Sequence, residues 1–261
     1  MINKSDIQTA LRREIWMSFY DLTSPKQKGS PQTEQPKITE PAILPPEASG
    51  VPAGLSPDAR ILGNDCIMYL DDQFSDRQKR LNFSARQIEN SKTELICHKY
   101  IKEIWLGKSL FLAPTPELYA LLGFPSPYKR NVSDIHSFLT LLAERLIKVN
   151  PLVKYTRIEV PVGNSNPTST VDLIAYLKSG QRLAYEIVHR GISNVTALAA
   201  RLKDKGFSQV IFIAVDYNTK QRVWATIRNA GFDPDFTSTI RCTIFSALIR
   251  QKKEFMLKGV S

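Results

Sequence analysis

The chain has few cysteines and few histidines, and neither type is clustered. There are three of each among 261 residues, at Cys66, Cys97, Cys242, His98, His136 and His189. No CxxC pair occurs, so the spacing typical of a structural zinc site is missing. An odd, widely spaced set of cysteines is equally unlike a disulfide scaffold and is typical of proteins of a reducing compartment.

Long apolar runs and a secretory leader are also lacking. No uninterrupted hydrophobic stretch approaches the roughly 18 residues that a membrane-spanning helix needs. The opening residues, MINKSD, contain no apolar core followed by small residues, so they do not resemble a signal peptide. A composition of 43% hydrophobic and 23% charged residues is that of a globular protein. We therefore expect a cytoplasmic protein without a membrane partner.

Acidic residues are outnumbered by basic ones. The chain has 35 Lys and Arg against 25 Asp and Glu, a formal net charge of +10, and a pI near 9.5. Such an excess favours polyanionic partners, with nucleic acid ahead of an anionic membrane surface. The length allows one large domain or two modest ones.

The first 57 residues divide into two segments. Apolar residues recur at helical spacing in residues 1–22, at Ile7, Leu11, Ile15 and Phe19, which predicts an amphipathic helix. Residues 23–57 hold eight of the sixteen prolines and read as a flexible linker. The helix is then tethered, either as an element that docks on a partner or as a dispensable tail.

Residues 58–124 predict three helices, a two-stranded hairpin and a short helix. The ranges are 58–72, 76–81, 85–99, 101–105, 109–113 and 115–122. This order, and the wording of LNFSARQIENSKTELICHKYIKEIWLGKSLFLAPTPELYALLGF, resembles the winged helix-turn-helix modules of prokaryotic DNA-binding proteins. The resemblance covers about 65 residues and implies that the third helix enters the major groove while the hairpin lies on a phosphate.

The resemblance implies a set of candidate DNA contacts. Arg86 and Gln87 stand in the first turn of the third helix, and Lys108 stands at the tip of the hairpin. The full candidate set is Arg77, Lys79, Arg80, Arg86, Gln87, Asn90, Lys92 and Lys108. The alternative is a winged helix that contacts protein, with its charges simply solvated.

Residues 130–251 predict a helix, three strands, a helix, a strand and a helix, followed by a basic tail at 252–261. The phosphate-binding patterns GxGxxG and GxxxxGK(S/T) do not occur, which argues against a doubly wound nucleotide-binding sheet. Val171-Asp172 in the second strand and Glu186-Ile187-Val188 in the third resemble the PD-(D/E)xK restriction-endonuclease-like superfamily. The expected fold class is α/β (α+β): a winged helix-turn-helix followed by a restriction-endonuclease-like αβββαβ domain.

The resemblance implies a phosphodiester-cleaving site. Asp172 and Glu186 would hold Mg²⁺, and Glu144 on the preceding helix is a candidate third acid. The family places a lysine two residues after the second acid, but Val188 occupies that position. A displaced basic residue would have to replace it, and the candidates are Lys178, Arg182 and Arg190.

Three functions follow from this sequence. The first is a DNA-binding protein with a catalytically impaired nuclease-like domain, active in DNA processing or mobile-element biology. The second is an active Mg²⁺-dependent endonuclease, for which a homodimer would allow cleavage of both strands. The third is a protein adaptor for a DNA-translocating ATPase of the HerA/FtsK type, a partner that rests on the resemblance to plasmid-associated proteins alone.

Overall fold

The computed structural model describes residues 54–128, 132–162, 170–189, 191–203 and 205–257. The predicted helix at 1–22, nearly all of the predicted linker and Arg190 lie outside these residues. The described residues form a mixed α/β structure with a two-stranded and a five-stranded sheet. None of their helices is both long and apolar enough to cross a membrane.

The described residues contain nine helices and seven strands. The helices are α1 (Pro57–Met68), α2 (Phe74–Leu81), α3 (Ala85–Cys97), α4 (Pro116–Leu121), α5 (Asp134–Lys148), α6 (Val195–Leu202), α7 (Tyr217–Asn229), α8 (Pro234–Thr239) and α9 (Phe245–Leu257). The strands are β1 (Ile101–Leu106), β2 (Ser109–Pro114), β3 (Val153–Pro161), β4 (Thr170–Leu177), β5 (Arg182–Val188), β6 (Gln209–Ala214) and β7 (Ile240–Ile244).

The helical part comprises α1–α4 and the β1–β2 hairpin. Side chains cap the N-termini of α1 and α3. Ser84 forms a capping box with Gln87: the Gln87 amide donates to Ser84 Oγ (3.2 Å), and the Ser84 amide donates to Gln87 Oε1 (3.0 Å). Ser56 caps α1, and its amide and hydroxyl both donate to the Glu94 carboxylate at 2.6 Å. These contacts hold α1 against α3 around buried Leu62, Ile88, Leu95, Leu112 and Leu118.

The five-stranded sheet has the order β3-β4-β5-β6-β7. Strands β3, β4 and β5 pair antiparallel, whereas β5, β6 and β7 pair parallel. Ala184 and Val188 of β5 pack with buried residues of α6 and α7. Helix α5 contacts β3, β4 and β5. Because β4 and β5 run antiparallel, Asp172 near the start of β4 and Glu186 near the end of β5 lie at the same end of the pair.

The helical part and the sheet part belong to one compact unit and are joined by ion pairs. Asp71 accepts from Lys252 Nζ of α9 (2.6 Å) and from Arg145 Nη1 of α5 (3.3 Å). Lys102 of β1 pairs with Asp134 at the start of α5 (2.6 Å). The predicted tail at 252–261 therefore begins within a helix, since α9 continues to Leu257 and Lys252 is fixed by Asp71.

The first helix is shorter than the sequence predicts, and one short helix was not predicted. The first helix was predicted over 58–72 but ends at Met68, because Tyr69 leaves the helical conformation (φ −119°, ψ 61°). The residues after it bring Asp71 and Asp72 to their basic partners. The short helix α8 was not predicted; Asp233 caps it by accepting from the Phe236 amide at 2.8 Å, and Pro234 occupies its first turn.

Candidate functional site

Asp172 and Glu186, named here the acidic pair, lie side by side on β4 and β5. The antiparallel register pairs Leu173 with Tyr185, so the next step along the ladder places Asp172 opposite Glu186. The backbone amide of Ile187 donates to Asp172 Oδ2 at 2.7 Å. The structure thus brings together the two acids that the sequence proposed as a pair.

Glu186 is buried with one carboxylate oxygen unsatisfied. Glu186 is 3% exposed, and its Oε1 has no hydrogen-bond partner among the described residues. Burial raises the pKa of this carboxyl well above its usual 4.5, the Asp172 carboxylate raises it further through charge and hydrogen bonding, and Arg201 lowers it in part. The environment therefore favours the neutral, protonated form of Glu186.

His136 is the third member of this cluster, and sequence reasoning missed it. Ser133 caps α5 by accepting from the His136 amide (3.2 Å), which sets the imidazole at the end of the sheet. Its Nε2 lies 3.1 Å from Asp172 Oδ1. The hydrogen bond to Asp172 raises the pKa of His136 above 6.5, burial opposes this, and the charge of Asp172 adds to it.

No local pattern marked His136 as a site residue. A histidine in the first turn of a helix resembles a surface residue, and only the packing of α5 on β3–β5 brings it to Asp172. A second histidine, His189, follows β5, and its ring centroid lies 5.8 Å from that of His136. The signal available in the sequence is His189 itself: a histidine directly after the strand that carries Glu186 indicates that imidazole groups lie near the acidic pair.

Glu144 is not part of the cluster. Its Oε1 accepts from Thr156 Oγ1 (2.8 Å) and pairs with Lys148 Nζ (2.8 Å). It stands eight residues beyond His136 on α5, which is about 12 Å along the helix axis. Glu144 was predicted to act as a third acid. Its carboxylate is instead engaged by Thr156 and Lys148 near the other end of α5, away from the acidic pair.

Val188 stands two residues after Glu186, where the resemblance to the PD-(D/E)xK superfamily leads us to expect a lysine. It is 5% exposed and packs in the core beside residues of α6 and β6. Of the proposed replacements, Arg182 donates from Nη2 to the carbonyls of Lys205 (2.9 Å) and Gly206 (3.2 Å). Four residues separate it from Glu186, about 13 Å of extended strand, and Lys178 is exposed beyond the far end of β4.

The anchoring of Arg182 makes Gly206 sensitive to substitution. Gly206 has a φ of +71°, and an added Cβ would lie 2.8 Å from Arg182 Nη2. We expect Gly206→Ala to lower the free energy of unfolding by about 1–3 kcal/mol, since it combines backbone strain with displacement of the guanidinium. Urea denaturation measures the loss. Gly180→Ala is the matched control, because φ is +87° but no atom lies within 4 Å. Equal losses would show that Arg182 is not anchored there.

Three of the candidate DNA contacts, Arg77, Arg80 and Lys92, form ion pairs within the helical part. Arg77 is fully buried and donates to Asp65 Oδ1 (2.5 Å), while Arg80 binds Asp65 (2.7 Å) and also Asp72. Lys92 bridges Glu89 (2.8 Å) and Glu103 (2.9 Å). Neighbouring carboxylates offset the charge of all three cations, but only Arg77 is fully buried, whereas Arg80 is exposed.

The other candidates are exposed: Lys79, Arg86, Gln87, Asn90 and Lys108. The side chain of Gln87 is nevertheless held by the capping box. Residues 54–128 contain nine basic and nine acidic residues, so this part of the chain is neutral. Residues 129–261 contain 20 basic and 10 acidic residues, and they account for the entire excess of positive charge.

The acidic pair offers a divalent cation limited coordination. Among the described residues there is no group of three or more His, Cys, Asp or Glu side chains that could hold a metal ion. Both oxygens of Asp172 already have partners, so Glu186 Oε1 is the oxygen of the pair left without one. Comparison with models of protein families, with curated proteins and with solved structures found no match to this chain.

Proposed function

We propose that this chain is a DNA-binding protein whose sheet part resembles a nuclease domain but does not cleave. The observation that carries the proposal is the distribution of charge: the excess of ten positive charges lies wholly within residues 129–261, and residues 54–128 are neutral. Phosphate contacts by Lys and Arg supply most of the sequence-independent affinity of proteins for DNA. The sheet part therefore contributes most of the binding.

The state of the acidic pair supports the loss of cleavage. Hydrolysis of a phosphodiester requires ionised carboxylates for Mg²⁺ and a basic group near the reacting phosphate. Here burial favours a neutral Glu186, and Val188 stands where the resemblance expects a lysine. The charge of Arg201 lowers the pKa of Glu186 only in part. Arg182 is held at the other end of β5. The pair is better suited to fixing α5 on the sheet through His136 than to catalysis.

The helical part has a smaller role in this proposal. The candidate contacts of the helical part that have no ion-pair partner are few: Lys79 on α2, Arg86 and Asn90 on the exposed side of α3, and Lys108 in the hairpin turn. Such a set is sufficient to orient a duplex but supplies little charge. We propose that the helical part positions the DNA and that the sheet part supplies affinity.

A second candidate function is a Mg²⁺-dependent endonuclease, and one observation favours it. A buried carboxylate oxygen without a partner is costly, and Glu186 Oε1 is such an atom. A divalent cation bound by Asp172 and Glu186 would satisfy it, neutralise charge on the phosphate and activate water. In that case His136 would retain Asp172 in its orientation.

One experiment separates these functions. Fluorescence anisotropy with labelled duplex DNA is expected to show an affinity that falls by at least about tenfold between about 50 and 200 mM salt, because phosphate contacts release counterions. Gel assays with Mg²⁺ or Mn²⁺ are expected to show no cleavage by either the wild type or Glu186→Gln. Cleavage that is lost in Glu186→Gln would establish the endonuclease instead. No binding even at low salt would overturn both DNA functions and leave the protein adaptor.

A further inference from the structure

Two stacked tyrosines, one exposed and one half-buried, lie on the edge strand β3 and its neighbour β4. Tyr155 of β3 is paired in register with Tyr176 of β4, and their ring centroids are 4.3 Å apart with an interplanar angle of 16°. The guanidinium of Arg157 lies 5.8 Å from the centroid of each ring. Tyr155 is 40% exposed. We name these three residues the β3 platform.

The β3 platform lies on a face of the sheet that the helices leave partly open. Thr156 donates to Glu144 of α5, so the side chains on either side of it in the strand point away from α5. Tyr176 and Ile174, the cross-strand partners of Tyr155 and Arg157, pack against the core that α6 and α7 cover. Tyr155 extends beyond that cover, because it is exposed at the outermost strand.

Cations are part of the platform and lie beside it. Arg157 and Lys178, which stands two residues after Tyr176, are exposed, and neither forms an ion pair with another described residue. The acid on β3, Glu159, is half-buried and stands two residues beyond Arg157. A flat aromatic face bordered by unpaired cations fits a ligand that is both planar and anionic.

We infer that the β3 platform binds unpaired bases of single-stranded DNA. An exposed aromatic ring stacks on any base, and neighbouring Lys and Arg bind the backbone phosphates. In a duplex the base faces are already stacked on one another, so the platform distinguishes a single strand or an open end from intact duplex. This inference rests on the proposed DNA-binding function and specifies its substrate.

A stacked tyrosine pair also stabilises a sheet, and that role alone would give a different result. Cross-strand aromatic pairs contribute about 0.5–1.5 kcal/mol to folding. If the pair were purely structural, substituting Tyr155 would lower the free energy of unfolding. The ratio of the affinities for single-stranded and duplex DNA would not change. The two roles are therefore separated by measuring both ligands with each variant.

The test compares the wild type, Tyr155→Leu and Tyr155→Phe on fluorescein-labelled oligo(dT) and on a duplex of equal length. We expect Tyr155→Leu to weaken oligo(dT) binding by about tenfold, in line with the measured contribution of one stacked base, and to change duplex binding by less than about twofold. Tyr155→Phe keeps the aromatic face and is expected to retain affinity. Tyr217→Leu is the matched control, because Tyr217 is 56% exposed on α7 and outside the platform.

Equal effects of Tyr155→Leu and Tyr217→Leu, or equal losses on both DNAs, would overturn the platform. If the wild type binds neither DNA, the proposed function itself is wrong. If it binds duplex and oligo(dT) but Tyr155→Leu has the wild-type affinity for both, only the role of the platform is wrong. Photo-crosslinking of the wild type to a bromodeoxyuridine oligonucleotide gives a readout that needs no variant. A crosslink at Tyr155 or Tyr176 is expected, and crosslinks confined to other residues would contradict the inference.

Discussion

Replacing Arg77 with methionine is expected to lower the free energy of unfolding by about 3 kcal/mol. Arg77 is fully buried, and its guanidinium donates to Asp65 Oδ1 (2.5 Å), to the Asp65 carbonyl (2.8 Å) and to the Tyr69 carbonyl (2.5 Å). Methionine keeps the aliphatic stem but leaves Asp65, itself 5% exposed, short of a partner. Removing one member of a buried ion pair usually costs about 3–5 kcal/mol, and Arg80 remains to offset part of the loss.

Urea denaturation followed by circular dichroism measures this effect, with Lys79→Met as the control. Lys79 lies two residues away on the same helix and is exposed, so its substitution is expected to change stability by less than about 0.5 kcal/mol. Under the proposed DNA-binding function, the folded fraction of Arg77→Met should bind DNA with the affinity of the wild type, because Arg77 is fully buried. A specific loss of DNA affinity in Arg77→Met at unchanged stability would restore the role that the sequence suggested.

The contrast between Arg77 and Lys79 shows what a count of basic residues leaves out. Both residues lie on one short helix that carries one acid and three bases, and nothing local distinguishes a buried cation from a solvated one. A signal was present elsewhere: Asp65 shares the buried side of α1 with Leu62 and Cys66. A carboxylate on an apolar helix face requires a buried cation, but which arginine supplies it depends on how α2 packs on α1.

The helices and strands themselves were predictable because their signals are local. Helical spacing identified α3 and α5, and the capping pattern at Ser84 fixed the start of α3. The short turn between β4 and β5 set their register, which is why Asp172 and Glu186 could be paired from sequence. His136 and Asp172 are 36 residues apart and meet because helix α5 docks on the sheet. No periodic pattern in the sequence predicts such a contact.

We expect the free energy of unfolding to fall as the pH rises from acidic to alkaline. Glu186→Gln should remove much of this pH dependence. The folded pKa of Glu186 is raised well above 4.5, so the folded state holds a proton that the unfolded state releases, and stability declines as pH rises through that window. His136 acts in the same direction: its pKa is raised above 6.5, so its stabilisation is complete below that value and is lost as pH rises through the folded pKa.

Glutamine imitates the protonated carboxyl at every pH, and its amide can still donate towards Asp172. We therefore expect Glu186→Gln to match the wild type near pH 4.5 and to exceed it by about 1–3 kcal/mol near pH 8, where the wild type buries a charged carboxylate. Urea denaturation across this range in the presence of EDTA measures both curves. Glu254→Gln, at an exposed position on α9, is the control and should leave the slope unchanged.

The slope that remains in Glu186→Gln identifies the contribution of His136. Adding His136→Gln should flatten the curve further around neutral pH, because the imidazole that gains a proton beside Asp172 is then gone. A wild type that becomes more stable with rising pH, or a Glu186→Gln variant with the wild-type slope, would contradict a protonated Glu186. Such a result would favour an ionised acidic pair, the state that the endonuclease function needs.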